Sequence, residues 1–169
     1  TRQVSSAASD VYKRQPITIV EFFDYNCGYC KRAFPDIMKL TQKNPDVRVV
    51  FKEFPILGPA SEQAARVALA SKGDGKYFAI HQGLLNARGS VNGAALSSLI
   101  EKHGLNADEI VTRGKNKDID AHIKDVRNLA QSLGVSGTPA FIIDNQLFSG
   151  ALSYDDMQSL IDEIRGSSN

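Results

Sequence analysis

From Ile17 to Phe23 every residue except Glu21 is β-branched or aromatic, with no alternation of apolar and polar positions. Such a run is a strand buried on both faces. It is read as a central strand of the sheet. The next periodic segment, Lys31 to Thr41, repeats Ala33, Phe34, Ile37, Met38 and Thr41 at helical spacing. Pro35 lies inside it and is expected to kink the helix without ending it. Asn44-Pro45-Asp46 is a turn, and Val47 to Phe54 carries Val47, Val49, Phe51 and Phe54 as a second strand. Strand, helix and strand in this order make a βαβ unit.

Beyond Leu57-Gly58-Pro59 the pattern turns helical. Ser61 is expected to cap a helix carrying Ala64, Ala65, Val67, Ala68 and Leu69. Tyr77, Ile80, His81, Leu84 and Leu85 form one apolar stripe, and Leu96, Leu99, Ile100 and His103 form another. Ala107 to Thr112 is a short helix, and Ile119, Ile123, Val126, Ala130 and Leu133 line a longer one closed by Gly134. Strands return at Ala140–Ile143 and Gln146–Ser149 around the turn pair Asp144-Asn145. Ser153 with Asp156 announces a last helix bearing Met157, Leu160, Ile161 and Ile164. The predicted class is α/β, with residues 16–58 as a βαβ half, 59–133 as an inserted helical subdomain and 134–169 as a ββα half.

Residues 5–15, Ser5-Ser6-Ala7-Ala8-Ser9-Asp10-Val11-Tyr12-Lys13-Arg14-Gln15, look like the in-frame translation of a transposase adapter used in preparing sequencing libraries. Residues 1–15 are therefore set aside as non-native, and the natural start of the protein is expected to lie upstream of what is seen. The 169 residues suffice for one domain with its own core. Twenty basic against 19 acidic residues leave a net charge of +1 without a basic block, so nucleic acid is not an expected partner. No apolar run reaches the ~18 residues of a membrane span, and stable membrane insertion is not expected.

The chain has only two cysteines, Cys27 and Cys30. They cannot form a disulfide framework, and are either a redox pair or half of a metal site. Disulfide exchange needs one accessible thiol able to ionise and a second that resolves the mixed disulfide. Placed between a strand and a helix, Cys27 falls at the helix N-terminus, where unpaired N–H groups and the macrodipole favour an anion. Lys31 and Arg32 add positive charge. Cys30, one turn further in, is expected to be buried and to keep its proton longer. Glu21 would be costly as a buried charge, so burial should raise its pKa and make it a proton acceptor for Cys30. An edge acid reaching solvent is the alternative. The Thr138-Pro139 bond, at a turn into a strand, is a candidate cis peptide.

The stretches Val20-Glu21-Phe22-Phe23-Asp24-Tyr25-Asn26-Cys27-Gly28-Tyr29-Cys30-Lys31 and Gly134-Val135-Ser136-Gly137-Thr138-Pro139-Ala140-Phe141, with Pro35 five residues after Cys30, resemble the thioredoxin superfamily and, within it, the DsbA-type disulfide oxidoreductases. That resemblance implies a thioredoxin-like fold with a helical insertion. It further implies Cys27 as nucleophile, Cys30 as resolving thiol, Glu21 as buried acid, and Pro139 as a cis proline facing them. Gly28, Tyr29, Thr138 and Pro139 would meet substrate, with Thr138 offering its backbone to an extended peptide. The implied partners are protein or peptide thiols and disulfides and a redox protein that resets the site, in the periplasm or cell envelope. No cofactor beyond the Cys27–Cys30 disulfide is implied. Gly28-Tyr29 and the threonine before Pro139 are more similar to DsbC-type isomerases, which leaves oxidase, isomerase and reductase open. A zinc site lacks a second Cys-x-x-Cys or a close histidine pair, since His81, His103 and His122 are scattered and the first two are expected to pack in the core. A peptide-binding chaperone with an inert disulfide is the non-enzymatic alternative. Tyr25, Phe34 and Met38 are read as packing residues.

Overall fold

The computed structural model describes residues 16–167, so the adapter-like stretch lies outside the described residues. In chain order the elements are β1 (Ile17–Phe23), α1 (Gly28–Lys43), β2 (Val47–Glu53), α2 (Pro59–Ala70), a 3₁₀ turn (Ser71–Asp74), α3 (Tyr77–Asn86), α4 (Gly93–Lys102), α5 (Ala107–Arg113), α6 (Lys117–Ser132), β3 (Ala140–Ile143), β4 (Gln146–Ser149) and α7 (Tyr154–Ser167). The sheet order is β2-β1-β3-β4. β1 and β2 are parallel, with Glu21 opposite Phe51 and Phe23 opposite Glu53. β3 runs antiparallel to β1, and β4 to β3. This is the expected α/β class, a βαβ unit and a ββα unit with helices between them.

β1 is central and buried on both faces. Ile19 packs on Ala33, Ile37 and Leu40 of α1 and on Met157 and Ile161 of α7. On the other face Phe22 meets Phe54 and the α6 residues Val126 and Ala130. The last helix of the expected insertion therefore supplies the second layer over the sheet. Leu133, expected on its apolar stripe, is 42% exposed because α6 ends one residue earlier and the chain turns away. α1 runs continuously through Pro35. Asp144 and Asn145 both have positive φ, the backbone that a two-residue hairpin requires and that Asp and Asn tolerate.

Above the C-terminal end of β1 a third cluster joins Phe23, Tyr25, Cys27, Cys30 and Phe34 to Ala64 and Ala68 of α2, Ile80 and Leu84 of α3, and Ile100 of α4. The cysteine pair thus sits at the seam between sheet and inserted helices. Two expectations are corrected. Ser61 does not cap α2: that helix begins at Pro59, as the fixed φ of proline at a first helical position favours, and the buried Ser61 hydroxyl turns to Asp24. His103 is not a core residue but the half-buried C-cap of α4. His81, by contrast, is fully buried.

Candidate active site

Strand β1 ends at Phe23, and Asp24-Tyr25-Asn26 bridges it to Cys27, the N-cap residue of α1. The Cys27 N–H donates to Asp24 O at 3.0 Å, closing a turn that delivers the side chain to the head of the helix. Cys27 is 6% exposed, and its Sγ donates to the backbone oxygen of Thr138 at 3.3 Å. The Thr138–Pro139 peptide is cis. Two segments 111 residues apart in sequence therefore meet at one sulfur.

Cys30 is completely buried, and both cysteines are free thiols. Burial pushes the Cys30 thiol well above its ordinary range; a backbone hydrogen bond from Asp24 works against this, while Cys27 and Glu21 add to it. Glu21 is 1% exposed, and its Oε2 has no hydrogen-bond partner. The apolar surroundings, and secondarily the charge of Cys27, push its carboxyl from 4.5 up to about 8. The strand-edge alternative for Glu21 is excluded by this burial. Gly28 and Tyr29 lie on the rim: Tyr29 is 60% exposed, with the Arg32 guanidinium 4.4 Å from its ring centre. Lys31 donates to the backbone oxygens of Ala87 at 2.9 Å and Gly89 at 2.6 Å. The basic pair thus acts differently from the expectation, with Lys31 holding the insertion and Arg32 covering Tyr29.

The structure adds residues whose roles the sequence did not announce. Asp24 is 1% exposed and accepts from Asn26 N–H, Ser61 Oγ–H, Ile56 N–H and Leu57 N–H at 2.7–3.0 Å. The one available signal was Asp-x-Asn after a strand, a turn-forming pattern. Tyr25 does more than pack: its hydroxyl meets His81 Nδ1 at 2.9 Å, and burial, opposed by Glu53, lowers the His81 pKa to about 4. The buried Glu53 accepts a short hydrogen bond from Tyr77. Among the described residues no three His, Cys, Asp or Glu side chains converge as metal ligands, and no helix is long and apolar enough to cross a membrane. A cavity of about 530 Å³ between α2 and α5, lined by Pro59, Gln63, Val67, Val111 and Lys115, is separate from the cysteine turn.

A nearly buried thiol at a helix head, a fully buried second thiol one turn on and a buried acid on the preceding strand are an arrangement suited to two-electron exchange between sulfurs. The family described as DSBA-like thioredoxin domain matches residues 18–162. The chain belongs to this family. A thioredoxin-like oxidoreductase from Silicibacter pomeroyi DSS-3 is 37% identical, with 90% of this chain and 88% of that one covered and a TM-score of 0.86. A periplasmic thioredoxin-like protein from Salmonella enterica serovar Typhimurium is 33% identical over 89% and 85% of the two chains, TM-score 0.76. The thiol-disulfide exchange protein alpha-DsbA2 from Wolbachia pipientis is 30% identical over 94% and 95%, TM-score 0.80. The chain also matches part of the Na(+)/H(+) antiporter NhaA 1 of Salinispora arenicola, at 25% identity over 151 residues, and spans 23% of that protein's length.

Proposed function

We propose that this DSBA-like domain is a thiol-disulfide oxidoreductase that exchanges disulfides with protein or peptide substrates in the bacterial cell envelope. The observation that carries the reading is the meeting of Cys27 Sγ with the Thr138 carbonyl, directly before cis Pro139, while Cys30 lies fully buried beneath. In one direction a substrate thiolate attacks Cys27 of the Cys27–Cys30 disulfide, and Cys30 leaves as a thiolate that takes the proton of Glu21. In the other, Glu21 accepts the Cys30 proton, Cys30 attacks Cys27 of the mixed disulfide, and substrate departs reduced. Thr138 and Pro139 would seat an extended peptide against the sulfur, with Gly28 and Tyr29 beside it. The Cys27–Cys30 dithiol/disulfide couple itself stores and releases both electrons, so neither metal nor organic cofactor is required. The envelope setting is supported by the periplasmic relative from Salmonella.

Equilibration with glutathione buffers tests the reading. The wild type is expected to titrate as one two-electron couple, Cys27→Ser to lose exchange, and Cys30→Ser to accumulate a mixed disulfide at Cys27. A potential well above the glutathione couple would indicate an oxidase or isomerase, and one near the thioredoxin value of about −270 mV a reductase. A Cys27–Cys30 pair that never exchanges, in a protein that still suppresses aggregation of unfolded clients, would overturn the enzymatic reading in favour of a chaperone.

A further inference from the structure

Only Asp24, Tyr25 and Asn26 separate β1 from Cys27, and two of them hold a larger network than a turn requires. The Asp24 carboxylate receives donors from three places: its own turn (Asn26 N, 2.8 Å), the segment after β2 (Ile56 N, 2.9 Å; Leu57 N, 3.0 Å) and helix α2 (Ser61 Oγ, 2.7 Å). Asn26 continues outward. Its Oδ1 accepts from Val91 N at 2.7 Å and Ser90 Oγ at 3.3 Å, and its Nδ2 donates to Ser61 Oγ at 3.2 Å and reaches Val91 O at 3.5 Å. Lys31, on the other side of the cysteines, holds the same loop at Ala87 and Gly89. A turn of this shape needs one acceptor, which Ser or Asn would supply. Four simultaneous donors need a carboxylate, the side chain that offers two oxygens and only accepts. A buried carboxylate is expensive unless so bonded. The four donors come from three separate segments, and the Asp24 carboxyl joins them.

We propose that Asp24 and Asn26 are positioning residues that fix Cys27 against Thr138 by tying its turn to the inserted helices. This inference rests on the exchange reading above. Ile56, Leu57 and, on α2, Ser61 meet Asp24, while the loop between α3 and α4 meets Asn26 and Lys31, so the insertion and the segment leading into it set where the sulfur stands relative to the Thr138 carbonyl. A peptide disulfide must meet Cys27 and Thr138 together. A small alkylating reagent needs only access to a sulfur that is 6% exposed.

The test compares Asp24→Asn and Asn26→Ala with wild type in the reduced protein, reading two rates on the folded fraction. One is alkylation of Cys27 by iodoacetamide in a Cys30→Ser background; the other is exchange with a peptide disulfide in the two-cysteine protein. The asparagine amide nitrogen cannot accept where the second carboxylate oxygen did, and Asn26→Ala removes the outer links without altering charge. Both variants are expected to lower kcat/KM for the peptide about tenfold, below the roughly hundredfold that a 1 Å misplacement can cost, while alkylation becomes several-fold faster. Lowered thermal stability with both rates unchanged would overturn the inference, as would a split confined to Asp24→Asn, which would mark an effect of charge. Should the wild type fail to exchange peptide disulfides at all, the oxidoreductase reading fails, and faster alkylation in both variants would still establish the positioning.

Discussion

At the residue scale the governing fact is that Glu21, an acid on a central strand, is 1% exposed. Its position was legible in the sequence because no other polar residue interrupts Phe22, Phe23 and the β-branched run before them. Its carboxyl, pushed to about 8 by burial and then by Cys27, is in its proton-holding form at neutral pH and able to release that proton just above it. A group with that affinity can exchange a proton with Cys30, whose own thiol burial has made reluctant to ionise. Replacing Glu21 with Gln keeps the shape and removes the acceptor. Resolution of the mixed disulfide, followed by rapid mixing between pH 6 and 9, is expected to slow on the order of 10²-fold and to lose its inflection near pH 8. A profile identical to wild type would remove Glu21 from the proton path. Asp24 was not legible in the same way. Nothing in Asp24-Tyr25-Asn26 reveals that the carboxylate will be met by Ile56, Leu57 and Ser61, because those donors lie 32 to 37 residues away, in the segment after β2 and on α2, and meet the turn only in the folded chain.

At the element scale, local chemistry that completes itself within a few residues could be read directly, and chemistry that depends on distant partners could not. The hairpin at Asp144-Asn145 and the start of α7 belong to the first kind. Ser153 Oγ donates to Asp156 Oδ2 at 2.6 Å and accepts from the Asp156 N–H at 3.2 Å, while the Ser153 N–H meets the same carboxylate at 3.1 Å, so the capping box closes on itself. Ser153→Ala is expected to lower the unfolding free energy by about 1 kcal/mol in urea titration, with an unchanged denaturant slope. An undiminished midpoint would mean that packing of Met157 and Ile161 alone sets where α7 begins. Ser61 belongs to the second kind. Its residue type before an apolar run suggests a cap, but Pro59 starts the helix earlier and leaves the hydroxyl facing inward, where Asp24 takes it. The reach of α6 over the second sheet face was equally hidden, since a helical stripe of Ile123, Val126 and Ala130 does not reveal which surface it covers.

At the scale of the whole molecule, two buried groups on opposite sides of neutrality shape how the fold responds to pH. Glu21 has its pKa raised from 4.5 to about 8, so between these values the folded protein holds a proton that the unfolded chain has released; its contribution is fully present below pH 4.5 and is lost as pH rises through 8. His81 is depressed from 6.5 to about 4 among the rings of Phe23, Phe34, Phe51 and Tyr77, and its contribution is present above pH 6.5 and lost as pH falls through 4. Between about pH 4.5 and 6.5 the two slopes oppose each other. Glu62, held low by Arg127 and Arg66, and Asp156, held low by Ser153, steepen only the acid limb. Stability of the reduced protein is therefore expected to peak in mildly acidic solution, below the sequence pI of 7.7, and to decline from pH 6.5 to 8. Glu21→Gln should flatten that alkaline decline, gaining on the order of a few kcal/mol at pH 8 while leaving the acid limb in place. Urea titrations of both proteins across pH 4 to 9 decide the matter: parallel curves on the alkaline side would show that the Glu21 carboxyl ionises in the folded state at no greater cost than in the unfolded chain.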